Sequence, residues 1–181
     1  AGESDLGMVL PLYEERARLS PWAQALLALT FESLSPGGQE ASTLFSDLQA
    51  TALRSGAGAH WEDTNDGYRS MASAVSTTAM VTYALIQQEP GSALLPDALR
   101  YLMVNRQEDG CWYSTYETAW TLWAINAWAM ASGELSGSFS YGATLNGVSI
   151  ASSEAAGAAL GSEGLRSEDV NIPLNRLYPN D

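Results

Sequence analysis

The chain has 181 residues, 46% of them hydrophobic, which is enough apolar side chain for a sizeable core. Its 8 basic residues are all Arg, against 21 acidic ones, and the formal net charge of −13 repels phosphate backbones and anionic lipid. Nucleic-acid binding is thereby excluded. The longest apolar runs, near 23–29 and 119–130, contain polar residues and fall short of a bilayer span, so direct membrane insertion is excluded too.

The one cysteine, Cys111, cannot form an internal disulfide, which fits a bacterial origin or a reducing compartment. The opening Ala1-Gly2-Glu3-Ser4-Asp5 is polar and acidic, unlike a signal peptide, and it lacks an initiating Met. The expectation is a piece cut from a longer protein, so the missing leader says nothing about export.

Residues 1–18 read as a lead-in with one short helix. Ser20-Pro21 is an N-cap followed by Pro at the first helical position, and opens a helix that ends near Leu34 before Ser35-Pro36-Gly37-Gly38. Leu44, Leu48 and Leu53 predict a second helix over about 40–55, closed by Gly56. A polar loop follows, holding His60-Trp61-Glu62-Asp63 and Asn65-Asp66-Gly67. Further helices are predicted over 73–88, 93–106 and 115–131, with a turn at Gln107-Glu108-Asp109-Gly110.

Three of these helices share a weak repeat: Ala23-x4-Ala28-Leu29, Ala79-x4-Ala84-Leu85 and Ala119-x4-Ala124-Ile125. The last two are preceded by Thr78 and Thr118, 40 residues apart. Small residues at this spacing let helices approach closely. The spacing suits a helix-pair unit, with helices 20–34, 76–88 and 115–131 in one layer and 40–55 and 93–106 outside it.

After Ser132-Gly133 the pattern alternates, in Ser138-Phe139-Ser140-Tyr141 and Val148-Ser149-Ile150, with Asn146-Gly147 between them as a hairpin signal. Residues 152–169 read as a loop or a poorly packed edge, and Val170–Leu174 as a further strand. The stretch is too short for an independent sandwich.

His60 sits beside Glu62 and Asp63, but a lone imidazole makes no usual zinc site, and the simpler reading is a loop whose Trp61 packs between helices. Asp109 and Cys111 are two zinc-capable ligands in an Asp-Gly-Cys element resembling that of prenyltransferase β-subunits. No His follows Cys111, so the set is incomplete, and a turn with a small buried thiol is the simpler reading. Glu108, Asp109 and Glu117 are carboxylates near aromatics, without a spacing that makes them converge. Trp120, Trp123 and Trp128 read as packing residues. Gln39-Glu40 after Gly37-Gly38 has no cysteine and is set aside.

Several stretches resemble one family. They are Leu19-Ser20-Pro21-Trp22-Ala23-Gln24-Ala25-Leu26, Thr77-Thr78-Ala79-Met80-Val81-Thr82-Tyr83-Ala84-Leu85 and Ala98–Arg106. The run from Gly110-Cys111-Trp112-Tyr113-Ser114-Thr115 to Glu117-Thr118-Ala119-Trp120 belongs with them. Together they resemble the helical thioester domain of bacterial alpha-2-macroglobulins. The stretches around Leu145-Asn146-Gly147 and Pro173-Leu174 are similar to the module that follows it.

The resemblance implies a mainly α fold, a partial α/α toroid of helix-pair repeats over 1–133, followed over 134–181 by the first strands of a β-sandwich-type domain. It implies a fragment of a broad-spectrum proteinase inhibitor, a conformational protease trap and not an enzyme. Its partners are host or foreign proteases, met through the full-length parent, and other domains of that parent. The implied location is periplasmic or extracellular, with membrane anchoring through upstream sequence as an option. The family's reactive Cys-x-Glu-Gln is absent from the chain, so no catalytic, cofactor-binding or metal residue is assigned and no cofactor is expected. Two rival readings stand beside this one. A terpene cyclase or prenyltransferase of the same ring fold lacks its Asp-x-Asp-Asp run and downstream His here. The other is a plain helical-repeat binding module.

Overall fold

The computed structural model describes residues 2–63, 71–133, 138–156 and 171–173. These divide into two compact units, Ala1–Ala131 and Ser132–Asp181. The fold is mainly α, with few antiparallel strands.

The first unit opens on α1, Gly2–Glu14, much longer than the short lead-in helix expected, with Pro11 inside it. A 3-10 turn at Arg16–Arg18 redirects the chain, and the Gln24 side-chain amide pins that turn by donating to the carbonyls of Arg16 and Leu19. Helix α2 spans Pro21–Leu34 and α3 spans Gln39–Ala50. Helix α4 is Ala74–Gln88, α5 is Leu95–Val104 and α6 is Thr115–Ala131.

Pro21 opens α2 as its sequence requires, although the Ser20 hydroxyl makes no capping bond. Ser73 caps α4 in full. Its hydroxyl accepts from the Ser76 N–H, and the Ser76 hydroxyl accepts from the Ser73 N–H.

Helix α3 stops at Ala50, short of the expected residue 55. Thr51 closes it, its N–H and hydroxyl both turned back to the Asp47 carbonyl. Leu53–Ser55 is instead strand β1, paired antiparallel with β2, Gly58–His60, so His60 lies in a strand and not in a loop. The physical reason is Gly58. At φ 128° it brings β2 so close to α5 that a Cβ there would lie 2.2 Å from the Asp97 carbonyl oxygen. A helix running on to 55 could not reach that contact.

Helices α2, α4 and α6 pack side by side in the order α2–α4–α6, with α1 on α2, α3 on α2 and α5 on α4. This is the predicted inner layer with its outer helices. The second alanine of each motif, Ala28, Ala84 and Ala124, is fully buried in the layer. The first behaves differently in each helix: Ala79 is buried, Ala23 half-buried and Ala119 exposed. Helix α4 sits between two neighbours and buries ten residues, from Ser76 to Ile86. Leu27, Phe31, Leu44, Leu48, Leu85, Leu95 and Trp61 form the main core.

In the second unit, β3 (Ser138–Leu145) and β4 (Val148–Ala156) form an antiparallel hairpin. Asn146 and Gly147 both take positive φ, 50° and 79°, as a tight primed turn requires. Strand β4 therefore runs to Ala156, past the residue 152 at which a loop was expected. Once the turn sets the register, β3 pairs with β4 along its whole length, with one bulge beside Ala143 and Thr144. Asn171–Pro173 carries no regular structure, contrary to the expected strand, whose ends at 170 and 174 lie outside the described residues. Asn65-Asp66-Gly67 and most of 152–169 lie outside them as well.

Candidate functional site

Two tryptophans are fixed in the same way, one per repeat. The Trp61 indole N–H donates to the Leu48 carbonyl at the end of α3, 2.7 Å away, and the Trp61 backbone N–H donates to Thr78 Oγ1 at 3.1 Å. The Trp112 indole N–H donates to the Leu102 carbonyl near the end of α5 at 2.8 Å, and its backbone N–H donates to Thr118 Oγ1 at 3.1 Å. Thr78 and Thr118 are the residues that precede the alanine motif in α4 and α6. Each Trp thus ties the end of an outer helix to the next inner helix, and both indoles are buried. In α2 the matching position is Trp22, whose indole donates to Asp63 at 3.1 Å.

A polar cluster lies where the N-terminal ends of α4 and α6 meet. Glu117, 6% exposed, accepts a 2.5 Å bond from the Ser73 hydroxyl. That hydroxyl also accepts from the Ser76 N–H at the start of α4, so the positive end of the helix reaches the carboxylate through Ser73. Ser114, just before α6, accepts from the Glu117 N–H.

Nearby, His60 stacks on Tyr101 with ring centroids 4.5 Å apart and planes 4° apart, and His60 Nε2 lies 3.3 Å from Glu62. Burial, then Glu62, then Glu117 raise the Tyr101 phenol above its ordinary pKa. His60 Nδ1 is buried with no hydrogen-bond partner. The Ser73 hydroxyl is thus shared between the Ser76 N–H and Glu117, and among the described residues no imidazole is hydrogen-bonded to it.

The structure brings Glu117, but neither Glu108 nor Asp109, into this cluster. The Asp109 carboxylate accepts from the Cys111 N–H at 3.0 Å, closing the turn, and Cys111 is exposed, not the buried thiol expected. Gly110 takes φ 88° there, and Arg106 grips its carbonyl. Among the described residues no three His, Cys, Asp or Glu side chains gather as a metal site.

Trp120 and Trp123 stack at 5.4 Å, with Tyr83 tilted against Trp123 at 5.4 Å, while Trp128 packs on the main core. A cavity of about 380 Å³ opens beside this ladder, lined by Tyr83, Ile86 and Gln87 of α4 and Trp123, Asn126 and Met130 of α6. Ser73, Tyr101 and the Thr78 and Thr118 hydroxyls escaped the sequence reading. The shared Thr-Ala step was the one signal that pointed to the threonines.

None of the helices is long and apolar enough to cross a membrane, among the described residues. No curated protein matches the chain. A family model does: that of the A-macroglobulin TED domain, over residues 9–128. The match begins within α1 and ends within α6, spanning both Trp pins and the whole Ala-motif layer. The chain therefore belongs to the alpha-2-macroglobulin family, as a piece of its helical thioester domain.

Proposed function

We propose that the chain is a structural part of an alpha-2-macroglobulin-like broad-spectrum proteinase inhibitor, a conformational protease trap, and that it carries no reactive centre of its own. The observation behind this reading is that the family match runs across the pinned helix pairs while no Cys-x-Glu-Gln occurs in the sequence. Residues 1–133 form part of the thioester-type ring, and 134–181 begin the β-domain after it. Proteases meet the parent protein, in the periplasm or outside the cell, and the chain's own neighbours are other domains of that parent.

The contribution of this segment is mechanical. Trapping converts a cut into a rearrangement that releases stored strain, and a part that travels in that rearrangement must move as a body. The Trp61 and Trp112 pins and the Ser73–Glu117 bond tie successive helices in the way such rigidity needs.

The test is incubation of the purified chain with trypsin- and elastase-like proteases. Neither slower cleavage of large substrates nor an adduct that survives denaturation is expected. An amine-sensitive covalent adduct would overturn the reading, because it would place an acylating centre within these residues.

A further inference from the structure

Of the seven asparagines in the chain, only Asn146 is followed by Gly. Glycine has no side chain to shield its backbone nitrogen, so that nitrogen can approach the side-chain amide of the residue before it. Asn146 and Gly147 both lie exposed at the tip of the β3–β4 hairpin, where water reaches them.

The hairpin decides when the two groups meet. Asn146, at φ 50°, sits in the left-handed region, where ψ is about +47°. In that conformation the Gly147 nitrogen lies opposite the Asn146 Cβ across the Cα–C bond. Closing a ring between the nitrogen and Cγ needs the two on the same side. The folded turn therefore holds the reacting atoms apart, and an opened hairpin lets them together. The Asp109-Gly110 step is open to the same ring closure in an unfolded chain, but here it is held at both reacting groups. The Gly110 N–H donates to the Gln107 carbonyl at 3.0 Å, and the Asp109 carboxylate accepts from the Cys111 N–H at 3.0 Å.

We propose that Asn146 is a site of spontaneous deamidation gated by the hairpin, with water as the co-reactant, and that its isoaspartyl product cannot rebuild the turn. The Gly147 nitrogen attacks Asn146 Cγ and a C–N bond forms. The side-chain nitrogen leaves as ammonia, taking up the Gly147 proton, and a succinimide ring remains. Water then opens either ring carbonyl, and nothing is oxidised or reduced. One product is ordinary aspartate, which suits a primed turn as Asn does. The other carries an extra methylene in the main chain, so Leu145 and Val148 no longer meet across a two-residue loop.

The full chain, held at mildly alkaline pH in native buffer and in urea, tests this. Peptide mapping locates the converted residue, and enzymatic methylation of isoaspartate serves as the probe. Conversion is expected at Asn146, about tenfold or more faster in urea than in native buffer. Hydrogen exchange should show protection of the β3–β4 amides lost in the isoaspartyl product but kept in the Asn146→Asp variant. Equal rates in the two buffers would show that the turn gates nothing, and no conversion at Asn146 in urea would remove the site itself. Loss of hairpin protection in Asn146→Asp would also overturn the proposal, because the added charge and not the lengthened backbone would then break the turn.

Discussion

Threonine hydroxyls in α4 do opposite things four residues apart. Thr78 Oγ1 receives the Trp61 N–H, whereas the Thr82 hydroxyl is fully buried with no hydrogen-bond partner. Removing the first leaves a buried donor unpaired, and removing the second relieves a desolvated group. Thr78→Val should therefore cost about 1–3 kcal/mol, and Thr82→Val should leave stability unchanged or raise it by about 1 kcal/mol, read from urea unfolding midpoints. Equal losses for both variants would mean that Thr82 has a partner.

Tyr101 adds a pH effect at the same scale. Its phenol is raised above the ordinary 10.0 by burial and by the charges of Glu62 and Glu117, so folding favours the protonated form. That contribution is fully present below pH 10 and is lost as pH rises through the folded-state value. Tyr101→Phe should lose less stability than the wild type between neutral and strongly alkaline pH, measured by thermal melts at each pH.

Among the elements, the alanine motif is one pattern with two structural meanings. Ala84 and Ala124 are fully buried where inner helices meet, so Leu at either should overpack the layer by about 1–3 kcal/mol. Ala119 holds the first place of its motif but faces solvent, and Ala119→Leu should change the unfolding midpoint little. The β1–β2 hairpin has its own weak point. Gly58→Ala must displace the α5 backbone at Asp97 and hold an L residue at φ 128°, at a cost of about 1–3 kcal/mol or more. A hydrogen-exchange comparison should show the loss of protection centred on β2 and α5.

For the whole molecule, the helical unit has its own core, and its two Trp pins both close within residues 48–118. Expressed alone, residues 1–133 should keep their helical circular dichroism and a single cooperative unfolding transition. A broad, non-cooperative melt would show that the proposed boundary near 133 cuts through a folding unit.

What the sequence alone determined about this protein is what short-range chemistry decides. Pro21 opens α2, and Asn146-Gly147 sets a hairpin. In each case the controlling residues lie within a turn of the feature they control. Which helices share the layer was also legible, because an alanine stripe marks where backbones can approach. The tertiary structure alone decided the rest. Leu53 sits at helical spacing but lies in a strand, because β2 must pass against α5 at Gly58. Trp61 reads as a packing residue, but its hydrogen bonds reach Leu48 and Thr78, 13 and 17 residues away. Glu117 becomes a buried link because Ser73, 44 residues earlier in the chain, is folded against it. Partners so distant in sequence leave no local pattern, since each bond exists only once the helices have packed.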